Sequence, residues 1–469
     1  MPCGGKCGYS PIIILPGISH SPTYLYDKND EPVLYNGSHV GGSLLIPNKA
    51  ALSDEAKSKL VKSAVATVLL RKNKGVDKCI YSLVCDALKY QRSDANGNHV
   101  ENLRIKRWNY PLEKMTEEDL RWVYRMVPMK SLVDEVGADH VYFFTFNLVG
   151  DPMDSADELD EYIENIKKQT GHEKVSFLPV SLGGTILAAY LEKYGHSKID
   201  QIVNTVACLD GTDIAADFFA REWRLDDEYL YHEFTNRLFA ENGVSSAKGH
   251  LINLLLRIVP RSGLDAFLSG AISGILDTLM LNCPQFWAML PSYRYEALAE
   301  RYLADKPVLK KRTDSFQTAR MNLKKNILDA VADGVRVNSV ACANLDFGEK
   351  MYTYFNIVKS AEGVNSDGIV NLASATLGAT GAASKRTLAD IDYEKNTYCK
   401  NPAHNHISAD GKVDASTAIL PENTWIFLNQ HHEVGRNEDV LNLIKSIFLG
   451  KVADVNENPE KFPQFREVK

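Results

Sequence analysis

Three residue types that together perform acyl transfer stand along the chain in the order serine, aspartate, histidine. Ser181 lies in Pro179-Val180-Ser181-Leu182-Gly183-Gly184, Asp367 in Ser366-Asp367-Gly368-Ile369-Val370, and the histidine is one of the adjacent pair His431 and His432. A serine hydroxyl is a weak nucleophile until a neighbouring base takes its proton. Imidazole titrates near neutral pH and suits that task, and a carboxylate beside it fixes the tautomer and stabilises the imidazolium. The developing oxyanion then needs backbone donors. Leu182 can supply one N–H, and Ile18, in Leu15-Pro16-Gly17-Ile18-Ser19-His20-Ser21, can supply a second because Gly17 permits close approach.

Each piece has a plainer reading by itself. Ser-x-Gly-Gly opening a helix also suits a phosphate-binding turn or a tight crossover, and Asp367 also suits an ordinary Asp-Gly turn. Only one of His431 and His432 can be the base; its neighbour is then a loop residue. The histidines at 20, 39, 99, 140, 172, 196, 232 and 250 lack such placement and read as structural.

The surrounding pattern supplies elements able to position the three groups. Val175-Ser176-Phe177-Leu178 has the composition of a buried strand, and Thr185 to Leu191 is apolar at helical spacing until Gly195, so Ser181 sits on a strand-to-helix turn. Further strand-like runs are Ile12–Leu15, 140–146, 201–206, 335–342 and Thr424–Leu428. They alternate with amphipathic stretches such as 155–169, whose Leu159, Tyr162, Ile163 and Ile166 share one face. This predicts a mostly parallel sheet with helices on both faces, the α/β-hydrolase fold, in which a serine turn is followed by acid and then histidine.

Residues 213–333 lack strand patterning and read as a helical cap inserted between two core segments, 1–212 and 334–469. An insertion there overhangs the carboxyl ends of the strands, where α/β enzymes place their sites. A second long and mixed stretch, 46–133, contains a helical pattern over 53–71 and a polar turn at 92–99.

With 469 residues, 45% of them hydrophobic, the chain can bury a large core. Its net charge of −7 and scattered basic residues provide no footprint for nucleic acid. The apolar run at 12–15 is too short for a secretory signal, and Ala266 to Leu290, interrupted by Asp277, Asn282 and Pro284, does not read as a membrane span. The eight cysteines lie mostly in apolar stretches, which suggests reduced thiols and a cytoplasmic location. Cys3-x3-Cys7, and Cys399 with His404 and His406, lack the paired spacing of a zinc motif and read as loops. No cofactor and no metal are expected.

The assembled motifs resemble the lecithin:cholesterol acyltransferase-like family of α/β-hydrolases. The likeness rests on the first strand and its Pro-Gly-Ile-x-x-Ser turn, here Ile12 to Ser21 followed by Leu25-Tyr26-Asp27, and on the serine turn itself. It continues in Leu209-Asp210-Gly211-Thr212, Pro284 to Ser292, and Ser366 to Val370. Counting from His431 puts Val434, Asn437 and Val440 at the family's positions, so the resemblance selects His431, with His432 second. The chain departs from the family in having Pro179 and Val180 where Gly-His is usual, and Phe146-Asn147-Leu148-Val149 in place of a Tyr-Asp-Trp-Arg stretch.

These readings predict a serine esterase, lipase or O-acyltransferase acting through Ser181, Asp367 and His431. The substrate is a hydrophobic acyl ester or lipid, with an alcohol as a second acceptor and transient contact with a membrane surface. The altered serine turn also fits a different class, a binding or scaffold protein on a hydrolase fold.

Overall fold

Seven short strands pair into one parallel sheet in the computed structural model, which describes residues 7–226, 254, 257–347, 358–359, 363–383 and 385–468. The strands are β1 (Ile12–Leu15), β2 (Val141–Phe143), β3 (Val175–Pro179), β4 (Ile199–Thr205), β5 (Arg336–Ala343), β6 (Thr424–Leu428) and β7 (Phe465–Glu467). Their spatial order is β7-β6-β5-β4-β3-β1-β2, every neighbouring pair is parallel, and register aligns Ile14 with Leu178 and Ser339 with Thr424. Six of the seven follow the expected runs. The edge strand β7 was not anticipated, because Phe-Arg-Glu carries no apolar pattern.

Both faces of the sheet are covered, which is why its central strands read as continuous apolar runs rather than alternating ones. Alternation along each strand still divides the core: Ile13, Leu15 and Phe177 face one layer, while Ile12, Ile14 and Leu178 face the other.

The covering helices include α1 (Asp54–Leu70), α2 (Val76–Leu88), α3 (Glu117–Met126), α4 (Pro152–Thr170) and α5 (Gly183–Tyr194). They continue with α6 (Asp213–Ala220), α7 (Arg261–Ile275), α8 (Ser292–Leu303), α9 (Pro307–Ala332) and α10 (Glu438–Phe448). Asp151 caps α4 by accepting the Met153 N–H, and Gly171 ends it in the left-handed region at φ +79°. Helices α4 and α5 lie on the first layer, α3 and α10 on the second.

The structure redraws the expected cap. Residues 227–253 and 255–256 of that stretch lie outside the described residues. The last helix, α9, runs along α5 and sends Phe316, Leu323, Ile327 and Ala330 into the main core, so it covers the sheet. Helix α7 instead packs on α2, with Ala266 against Val76 and Ile80. Gly270 allows that contact: a Cβ there would lie 2.4 Å from the Asp77 carbonyl oxygen. The helical layer beside the core is therefore composite, built from 54–88 as well as 261–303. Within the stretch expected to be free of strands, Arg224–Leu225 pairs antiparallel with Val358–Lys359.

Among the described residues, one helical stretch, Arg261–Met280, is long and apolar enough to cross a membrane by length and composition only, and part of it is buried inside the fold.

Candidate active site

The backbone of Val175–Gly184 turns sharply from β3 into α5, and Ser181 sits at the apex with φ +52°. A serine in the left-handed region costs energy and persists only where its surroundings over-determine it. Here they do: the Ser181 N–H donates to the Thr205 carbonyl at 3.2 Å, and its carbonyl accepts from Gly184 at 3.0 Å and Cys208 at 2.8 Å. Gly183 makes the turn possible, since a Cβ would meet the Leu15 carbonyl oxygen at 2.1 Å.

Pro179 does not open the turn; it is the last residue of β3, paired with Leu15. Its missing N–H coincides with a lapse in the ladder to β4, between the pair Phe177–Ile202 and the isolated bridge Val180–Thr205. The Val180 N–H still donates to Leu15 at 2.8 Å.

A hydrogen-bonded chain runs from the serine. His432 Nε2 lies 2.8 Å from Ser181 Oγ, and His432 Nδ1 lies 2.7 Å from Asp367 Oδ2. The acid is 1% exposed. Its second oxygen accepts the Ile369 N–H at 2.9 Å and the Val370 N–H at 2.7 Å, which leaves Oδ2 for the imidazole. Gly368, at φ +93°, shapes that turn.

The partner of Ser181 is thus His432 and not His431, the residue selected by family spacing. After β6, Asn429 turns the chain at φ +61° and bonds back to Ala343, and the His432 N–H donates to the Asp367 carbonyl at 2.9 Å. That backbone bond faces His432 toward the acid. His431 Nδ1 instead accepts the Glu433 N–H at 3.1 Å, and burial together with the nearby His432 holds its pKa below the usual value.

The N–H groups of Leu182 and Ile18 donate to no acceptor among the described residues, and the two residues flank the serine from two different turns. Gly17 is wedged at the site: a Cβ on it would lie 3.2 Å from Ser181 Cβ and 3.3 Å from His20 Cε1. His20, read from sequence as structural, belongs here. Its Nδ1 accepts the Gly17 N–H at 3.0 Å, so the neutral ring carries its proton on Nε2. Burial, and secondarily the charge of His432, lowers its pKa to about 4. The signal available in sequence was its place three residues after Gly17, in the turn already chosen for an oxyanion donor.

Ser181 and His432 open on a cavity of about 490 Å³ whose walls include Met126, Leu178, Val180, Val206, Val434 and Leu441. Arg125, Glu433 and Arg436 stand at its exposed margin. On the other side, the start of α6 is tied to the acid turn: Thr212 Oγ1 donates to the Ile369 carbonyl, and Asp213 and Asn371 exchange bonds of 3.1 and 2.6 Å. The segment 284–292 is held by buried Arg320, which donates to the Ala288 and Leu290 carbonyls, and by Gln285, which donates to Thr185 Oγ1 at 3.0 Å.

Cys7 and the segment 399–406 lie in loops, as read, with further possible ligand side chains gathered beside them. Cys3 is outside the described residues, but Cys7 Sγ meets His140 Nε2 at 2.8 Å and His172 Nε2 at 2.9 Å. Cys7 and His172 line a second cavity, at the amino ends of the strands, together with Ser176, Asp200 and Arg336. Cys399, His404 and His406 come together with Glu422.

The family defined by the alpha/beta hydrolase fold matches residues 126–303. With the seven-stranded parallel sheet, it shows that the chain has an α/β-hydrolase fold. No curated protein matches the sequence. Solved structures similar to it include phospholipase PlaB from Legionella pneumophila, 12% identical, with 58% of this chain and 45% of that one covered at a TM-score of 0.27. This chain therefore spans less than half of PlaB. A Tle4-Tli4 complex is 14% identical over 96% of this chain and 100% of that one, with a TM-score of 0.38. A thermophilic esterase from Thermogutta terrifontis is 18% identical over 43% and 86%, with a TM-score of 0.16. The narrower lecithin:cholesterol acyltransferase-like resemblance rests on the sequence motifs alone.

Proposed function

We propose that this protein is a serine-dependent acyl-ester hydrolase or O-acyltransferase acting on hydrophobic acyl esters. The observation that carries the reading is the continuous chain Ser181–His432–Asp367 on a strained turn beside two free backbone donors. In this scheme His432 Nε2 takes the Ser181 proton as Oγ attacks the ester carbonyl, and the Asp367 carboxylate stabilises the imidazolium. The Leu182 and Ile18 N–H groups receive the oxyanion. As the tetrahedral intermediate collapses, His432 returns the proton to the leaving alcohol. The acyl-enzyme then passes to water or to a second alcohol activated by the same imidazole.

The substrate class follows from the cavity. Its volume of about 490 Å³ and its aliphatic walls suit an acyl chain, and the arginines at its margin suit a polar or anionic head. On α1, Val61, Val65 and Leu69 are exposed at helical spacing, an apolar stripe suited to a lipid surface.

A fluorophosphonate probe tests the mechanism: labelling of the wild type and its loss in Ser181→Ala are the expected results. A folded wild type that stays unlabelled overturns the reading in favour of a scaffold. Esters of increasing acyl length, neutral and anionic, run with and without an added alcohol, then separate esterase, lipase and transferase.

A further inference from the structure

We propose that Cys399, His404, His406 and Glu422 form a structural zinc site, at the far end of the sheet from Ser181. One ligand atom from each lies within 4.8 Å of the other three. Around tetrahedral zinc, with bonds of 2.0–2.3 Å, ligand atoms are separated by about 3.3–3.8 Å. The cluster is close to that geometry: His406 Nε2 to Glu422 Oε1 is 3.6 Å, Cys399 Sγ to Glu422 Oε1 is 3.8 Å, and Cys399 Sγ to His404 Nδ1 is 4.0 Å. His404 Nδ1 and Glu422 Oε1 are closer still. One thiolate, two imidazoles and one carboxylate form a mixed donor set that suits zinc.

The second observation is the state of His406. The residue is 4% exposed, and its Nε2 has no hydrogen-bond partner although it faces the cluster. Burying a polar nitrogen without a partner is costly, and a metal ion removes the deficit. The tautomer is already set for that purpose. His406 Nδ1 lies 2.7 Å from Gln464 Oε1, so Nδ1 carries the proton and Nε2 presents its lone pair. The Gln464 amide is anchored in turn by donating to the Pro421 and Thr424 carbonyls at 2.8 and 3.0 Å, on either side of Glu422. This is the outer support that orients a metal-bound histidine. His404 Nε2 lies 2.9 Å from Asn401 Nδ2, so binding at His404 Nδ1, which moves the ring proton to Nε2, requires that contact to rearrange.

Four protein ligands close the coordination sphere, so the ion has a structural role rather than a catalytic one. It fastens the loop 399–406 to the entry of β6. Glu422 precedes the first residue of that strand and His432 follows its last, which separates the metal from the acyl-transfer chemistry by the length of the sheet.

The test is a difference in metal content. Protein prepared with zinc in the medium is analysed by plasma mass spectrometry as the wild type, His406→Ala and Glu422→Gln, each checked for folding by circular dichroism. We expect each variant to hold one zinc fewer per chain than the wild type and to melt at a lower temperature. Equal zinc content in all three, or a wild type that takes up no zinc when incubated with zinc chloride, overturns the proposal. Should those variants fail to fold, cobalt(II) added to chelator-treated wild type gives an independent reading. A thiolate-to-cobalt charge-transfer band that is lost in Cys399→Ser supports the site, and absence of the band in the wild type refutes it.

Discussion

Asp367→Asn isolates the role of the acid because it leaves the turn almost untouched. Asp367 Oδ1 accepts the Ile369 and Val370 N–H groups at 2.9 and 2.7 Å, and an asparagine carbonyl in the same place retains both. Its amide nitrogen then occupies the Oδ2 position, 2.7 Å from His432 Nδ1. That nitrogen can only donate, so Nδ1 must accept and the neutral ring must carry its proton on Nε2. Nε2 is the atom 2.8 Å from Ser181 Oγ, and it becomes a donor where a base is required. The backbone bond from His432 to the residue 367 carbonyl survives, so stability should change by no more than about 1 kcal/mol, one hydrogen bond's worth. Turnover should fall far more. Inverting the tautomer of a triad histidine costs roughly 10⁴-fold in kcat, or about 5.4 kcal/mol of transition-state stabilisation. The assay is kcat on a chromogenic ester that the wild type cleaves, alongside the melting temperature of both proteins. A variant that melts like the wild type and keeps kcat within tenfold of it refutes the assignment of Asp367.

Exchanging either histidine separates the adjacent pair: His432→Ala should abolish fluorophosphonate labelling while His431→Ala keeps it, and the reverse result restores the base selected by family spacing. His20 has a folded pKa of about 4, below its ordinary value of 6.5, so the fold favours the neutral ring. Its contribution is complete above pH 6.5 and is lost as the pH falls toward 4, a decline of the order of 3 kcal/mol. Denaturant titrations at both pH values on the wild type and His20→Gln should show a steeper acid loss in the wild type, and equal losses contradict it. Gly183→Ala forces a methyl to within 2.1 Å of the Leu15 carbonyl oxygen, so β1 and the serine turn must separate. Loss of soluble protein or of labelling is the expected outcome, and a fully labelled variant of wild-type stability shows that the turn tolerates a Cβ.

The most legible part of the chain was its local part. The serine turn needs only a buried strand, two glycines and the helix that follows, and Val175 to Tyr194 supply all of them. Asp367 was legible for a related reason, because Asp-Gly followed by Ile-Val makes a turn whose N–H groups bind the carboxylate. The choice between His431 and His432 was not local. Adjacent side chains leave a loop in different directions, and the direction was set by the His432 N–H bonding to Asp367, 65 residues earlier in the chain. Glu422 is the same case. Cys399, His404 and His406 showed no zinc spacing in sequence, and the fourth member of their cluster lies 18 residues beyond His404 at the entry to a strand.

What the amino-acid sequence determined by itself was the parallel sheet covered on both faces and the order in which the serine, the acid and the histidines arrive at its carboxyl edge. Periodicity and turn chemistry act over a few residues, and these features require no more. The tertiary structure alone decided which histidine meets the serine, that His20 stands beside it, that α9 covers the sheet, and that 54–88 joins the helical layer over it. Each of those depends on which surfaces meet across many tens of residues. Such meetings are chosen by packing and hydrogen-bond satisfaction over the whole fold, to which the spacing of neighbouring residues contributes nothing.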